Sequence, residues 1–234
     1  MRNVFMQFER KLMPYRSNNT SAIFNAFAQF LFLAVLVSLP VLVIRFDIDT
    51  LKTGASEGTL VEYMEQFLLS LTILCYAYIA KHNPSFKRFG ALVIGFFLCL
   101  LIRELDMFFD ELVFHGFWVY PAAIVAASAV IYSLTDRTET ANQFAAFVNH
   151  RNFGLLCMGL AMLLVFSRLF GMSSLWRELL GDGYVRAAKN IAEEGTELMA
   201  YVTIFYASLR YVFAMKPAKH KSTHKSDSSV LCKR

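Results

Sequence analysis

The sequence predicts an all-α, polytopic membrane protein: a six-transmembrane-helix bundle with its N and C termini cytoplasmic. Three observations carry that expectation. Of the 234 residues, 56% are hydrophobic and 18% charged, with a mean hydropathy of +0.45. Soluble domains run at about 45–50% apolar and about 25% charged. The apolar residues gather into six runs, each near the roughly 20 residues that cross a bilayer. Lys and Arg are concentrated in the two flanks and in every second connection, which puts their excess on one side of the membrane, as the positive-inside rule demands.

In chain order, residues 1–20 are a basic amphiphilic segment. Arg2, Arg10, Lys11 and Arg16 alternate there with Val4, Phe5, Phe8 and Leu12, a pattern suited to an inner membrane surface. The run over 22–44 is too long for a signal-peptide core and has no small-residue cleavage site after it. It reads as the first span, with Pro40 as a kink point. Further spans are expected over 60–80, 89–112, 117–134, 153–172 and 194–215. Between the last two, Gly181-Asp182-Gly183 marks a turn, and 174–180 before it reads as a short interfacial helix anchored by Trp176. The membrane domain is thus 21–215. Residues 216–234 are basic and Ser-rich, and a disordered cytoplasmic tail is expected.

This topology gives the charged residues their meaning. Glu62 and Glu65 open the second span. Arg103, Glu104, Asp106, Asp110 and Glu111 close the third, with His115 just beyond. Arg168 ends the fifth. Glu193, Glu194 and Glu197 open the sixth. All fall in one layer at the outer face. Nine carboxylates there face Arg103, Arg168 and the half-basic His115. Glu62/Glu65 and Glu194/Glu197 repeat an E-x-x-E spacing that puts each pair on one helix face. Arg103, Asp106 and Asp110 would share a face of a continuous third helix. Acids at the starts of the second and sixth spans suit the helix dipole, whereas those at the end of the third oppose it and need a partner. Ionisable groups inside a membrane are costly and mark function by default. Carboxylates that converge must share protons or hold a cation.

The candidate ligand- or cation-binding set is therefore Glu62, Glu65, Arg103, Glu104, Asp106, Asp110, Glu111, Arg168, Glu194 and Glu197. Glu104, Asp106, Glu194 and Glu197 are the candidate metal ligands. Oxygen-only ligands favour a hard divalent cation such as Ca²⁺, Mg²⁺ or Mn²⁺ as cofactor, or protons. No catalytic residue is identifiable, because G-x-S-x-G, H-E-x-x-H and the P-loop are all absent from the sequence. Membrane hydrolases of the alkaline ceramidase type need several embedded His ligands, including an H-x-x-x-H pair on a late helix. Here that place reads Glu194-x-x-Glu197. The net charge of +5 sits largely in the flanks and is explained by topology, so nucleic acid is not an expected partner. The lipid bilayer is one, and a membrane protein partner or a second copy fits.

Three functions are expected from these features. The first is a non-enzymatic carrier, channel-like subunit or sensor that binds a cation or basic ligand. The second is a membrane-embedded enzyme acting on lipid headgroups at the outer leaflet, with a carboxylate base and Arg103 or Arg168 on a phosphate. The third is a structural subunit whose charges are inter-helix ion pairs. The expected location is a bacterial inner membrane.

Overall fold

The computed structural model describes residues 15–51 and 59–215. Expectations for 1–14 and 216–234 lie outside the described residues. Within the described residues, ten α-helices order the chain: α1 Tyr15–Phe46, α2 Leu60–His82, α3 Lys87–Glu104, α4 Asp106–Leu112, α5 Val119–Leu134, α6 Arg137–Val148, α7 Phe153–Ala161, α8 Ser167–Phe170, α9 Ser173–Leu180 and α10 Arg186–Met215. Among the described residues there is no strand. Five helical stretches are long and apolar enough to cross a membrane, and a sixth arises if α5 and α6 count together. The protein is a helical membrane protein on that basis.

Helix α10 is the centre of the bundle. It packs on α2, α7 and α1, while α3 pairs with α2 on one side and α5 on the other. Half of α10's apolar window is buried, against 6% of that of α1. The outer helix therefore shows lipid an almost complete apolar surface. Its Phe24, Phe27 and Phe30 are all exposed, as a lipid-facing helix requires. Pro40 lies within α1, which continues to Phe46 and ends in a π turn over Asp47–Leu51.

Lipid tails are as apolar as Leu, so shape and hydrogen bonds, more than water exclusion, hold such helices together. An aromatic cluster fills the end of the bundle remote from the acids. Tyr76 of α2 stacks on Phe97 of α3 at 5.6 Å, and Tyr211 of α10 meets Phe147 of α6 edge-on at 5.0 Å. Ser208 Oγ donates to the Tyr76 hydroxyl oxygen at 3.2 Å. Close backbone approach does the rest. A Cβ on Gly159 of α7 would stand 2.7 Å from Ile204 Cγ1 of α10, and one on Gly95 of α3 would stand 2.5 Å from Ala129 Cβ of α5.

Two expectations are corrected here. The third span is not one helix over 89–112, because the chain leaves helical geometry at Leu105 (φ −98°, ψ 18°) and restarts as α4. The connection holding Arg137 is not a plain loop either. It is the helix α6, turned by 105° from α5. Asp136 caps it, accepting from the Glu139 backbone N–H at 3.1 Å, and Arg88 of α3 pairs with Asp136 and holds the corner. The short helix expected over 174–180 forms as α9, and Trp176 Nε1 donates to the Phe170 carbonyl at 2.7 Å.

Candidate functional site

The start of α2, the end of α3 and the first third of α10 come together at one end of the bundle. Each acid there is positioned by a local device. Thr59 caps α2, its Oγ1 accepting from the Glu62 backbone N–H at 3.3 Å. Buried Asp47, from the turn after α1, accepts from the Leu60 N–H at 3.3 Å. These two contacts fix the start of α2 and set Glu65 about 7.5 Å beyond Leu60 along its axis, at 1.5 Å per residue. Glu65 is 2% exposed, and its Oε1 has no hydrogen-bond partner.

Glu104 is the last residue of α3, where the helix dipole disfavours a negative charge. The partner that placement demands is present twice over. Tyr201 of α10, 1% exposed, donates its hydroxyl to Glu104 Oε1 at 2.7 Å, and Arg103 Nη1 donates to the same oxygen at 3.2 Å. Gln66 Nε2 donates to the Glu104 backbone carbonyl at 3.1 Å, satisfying one of the carbonyls left open where α3 stops. The break at Leu105 thus frees backbone polarity that α2 supplies a donor for.

Glu197 is buried on α10. Arg168 Nη2 stands 2.7 Å from its Oε1. The approach is off the hydrogen-bonding direction, so that oxygen has an ionic neighbour but no hydrogen bond. The π turn over Met162–Phe166 lies just before Arg168. Such a turn takes in an extra residue and rotates the helix beyond it. Arg168 also lies 3.6 Å from Glu193, which Lys189 Nζ approaches to 2.5 Å from the preceding turn of α10. Glu193 is neutralised there.

Glu65, Glu104 and Glu197 each offer an oxygen within 4.8 Å of the other two. They form the floor of a cavity of about 430 Å³. Glu62, Asp106, Glu111 and Glu194 line it further out, which makes seven carboxylates, and among the described residues no Lys or Arg lines it. Its walls include Tyr63, Leu105, Met107 and Phe108. Of the expected set, Arg103 and Arg168 stand behind the cavity on Glu104 and Glu197. Asp110 is placed elsewhere. Its carboxylate accepts from the Gly116 N–H at 2.8 Å and meets His115 Nδ1 at 2.5 Å. Those contacts hold the Asp110 carboxyl below the usual range, the Gly116 N–H most, with His115 adding to it. His115 therefore closes the α4–α5 turn and brings no charge to the cavity.

Four polar residues outside the expected set complete the site: Asp47, Tyr63, Gln66 and Tyr201. Gln66 was findable, since it comes four positions after Glu62 and so shares its face. Asp47 carried no such signal.

Chemically, the site is an acceptor-rich hole. A carboxylate oxygen fully taken from water without a donor is costly. Three carboxylates this close are balanced only by a cation or by protons. Arg103 and Arg168 answer two of them from behind, and Glu65 Oε1 is left without a donor. By electrostatics such a hole suits a cation and disfavours an anion. No known protein family, curated protein or solved structure matches the chain.

Proposed function

We propose that the chain is a six-span protein of a bacterial inner membrane, with both termini cytoplasmic, that binds a cation in an outward-facing carboxylate cavity. The cation is a proton, a hard divalent metal or a basic ligand, and the protein acts as a carrier, channel-like subunit or sensor. The observation that carries this reading is Glu65. Its oxygen is fully buried, has no hydrogen-bond partner, and faces two further carboxylates. Structural acids are normally satisfied by donors. Supporting the orientation, Lys87, Arg88, Arg137 and Arg151 lie at the ends of helices opposite to the acids, which is the cytoplasmic pattern.

One observation favours the reading in which the charges only fix the bundle. Arg168 bridges the fifth and sixth spans through Glu193 and Glu197. It accounts for Glu197 and leaves the Glu65 oxygen unexplained.

Thermal unfolding of the detergent-purified, chelator-treated protein with added Mg²⁺, Ca²⁺ or Mn²⁺ tests the metal form of the reading. A saturating rise in midpoint is expected, and it disappears in Glu65→Gln and Glu197→Gln. An equal rise in both variants and the wild type would remove the site. A reporter fused after Gly116 tests the orientation, and a cytoplasmic signal there overturns it.

A further inference from the structure

The cavity reaches well beyond what a single ion needs, and its charges stand at two levels. We infer that its ligand is a short aliphatic diamine or polyamine, with one primary ammonium on the Glu65–Glu104–Glu197 floor and a second at the mouth. This rests on the cation-binding reading above and narrows it to a ligand class.

The floor has the geometry of an ammonium acceptor. A primary ammonium offers three donors and no acceptor. Three oxygens at about 2.8 Å from a tetrahedral nitrogen lie roughly 4.6 Å apart. The three floor carboxylates present oxygens within 4.8 Å of one another, a bound that admits this spacing and also the roughly 3.0–3.4 Å of octahedral coordination at about 2.1–2.4 Å, so the choice between the two falls to the mouth.

The mouth supplies the second level. Glu62 and Glu194 each lie three residues before a floor acid on their own helix, about 4.5 Å along the axis. Both are half-buried, and Asp106 and Glu111 beside them are exposed. A metal ion on the floor is too small to reach these four carboxylates. A second ammonium one short alkyl spacer away reaches them. Leu105 and Met107 also line the cavity, and their apolar surface suits methylenes. Phe108 and Tyr63 add aromatic faces at the opening, where a cation gains further attraction. The volume of about 430 Å³ lies in the ordinary range for small organic ligands.

The test is calorimetric titration of the detergent-purified full chain at constant ionic strength, which removes general screening. The probes are putrescine, butylamine and Mg²⁺, with Glu65→Gln for the floor and the Asp106→Asn/Glu111→Gln pair for the mouth. Putrescine is expected to bind more tightly than butylamine. The mouth pair should weaken putrescine by about fivefold, as for exposed ion pairs, and leave butylamine unchanged. Glu65→Gln should weaken both amines by more than about thirtyfold, as for a buried charge that loses its partner. If Mg²⁺ binds and depends on Glu65 while putrescine binds no better than butylamine, the diamine inference fails and the cation site stands. If none of the three probes binds the wild type, the diamine inference fails together with the metal and basic-ligand forms of the cation reading.

Discussion

Replacing Glu65 by Gln should stabilise the empty protein, an uncommon outcome for a buried position. The substitution keeps the shape and removes one charge from the floor. Where two of these groups are ionised, the 4.8 Å upper limit on their separation sets a repulsion of at least about 3.5 kcal/mol at an effective dielectric of 20. Glu65 faces two such neighbours, Glu104 and Glu197. Arg103 and Arg168 offset part of that repulsion from behind, and the buried amide still needs donors of its own. A net gain of about 2 kcal/mol is the expected scale. For a chain of this size that is about 4–8 °C in midpoint. The assay is thermal unfolding in detergent, in buffer free of divalent metals and amines. A midpoint that falls by a similar amount would mean that Glu65 makes a stabilising pair in the empty state, and the open oxygen would be refuted.

The other predictions concern the supports of the site. Tyr201→Phe removes the hydroxyl that donates to Glu104 at 2.7 Å and should cost about 1.5–3 kcal/mol, the scale for hydrogen bonds to charged groups, read as a lower unfolding midpoint. Gly159→Ala places a methyl against Ile204 and should destabilise by about 1–3 kcal/mol. Gly154→Ala meets nothing within 4 Å and should be neutral or stabilising, and equal effects at the two glycines would contradict the close approach of α7 to α10. Asp110 has its folded pKa held down, so its contribution is present above its unfolded value and is lost as pH falls through the folded one. Asp110→Asn should therefore speed hydrogen exchange at the Gly116 amide at neutral pH and change nothing in strong acid.

How far the residues announced all this differs from element to element. Apolar runs near 20 residues placed α1, α2, α3, α5 and α10, because a bilayer sets length and composition together. The E-x-x-E pairs at Glu62/Glu65 and Glu194/Glu197 put the acids at one end of two helices, since helical spacing fixes which residues share a face. The break at Leu105 was not legible. No Gly or Pro marks it, and it is held by a tertiary contact, Gln66 on the Glu104 carbonyl. That break undoes the shared face expected for Arg103, Asp106 and Asp110 and lets Asp110 serve the α4–α5 turn. The helix α6 was legible in principle, because Asp136 and Glu139 make a capping spacing, but its polar sequence looked like a loop between apolar runs. The pairing of Arg168 with Glu197 needs three-dimensional contact between two spans and comes after a π turn that no local pattern announces.

Isothermal titration of the purified wild type and Glu65→Gln side by side, with divalent metal and then with putrescine, asks most directly whether the acidic floor is a binding site. Saturable one-site heat with at least one of these cations in the wild type, lost in the variant, is the predicted result. Heat of equal size and affinity in both proteins, or none in either, would contradict it.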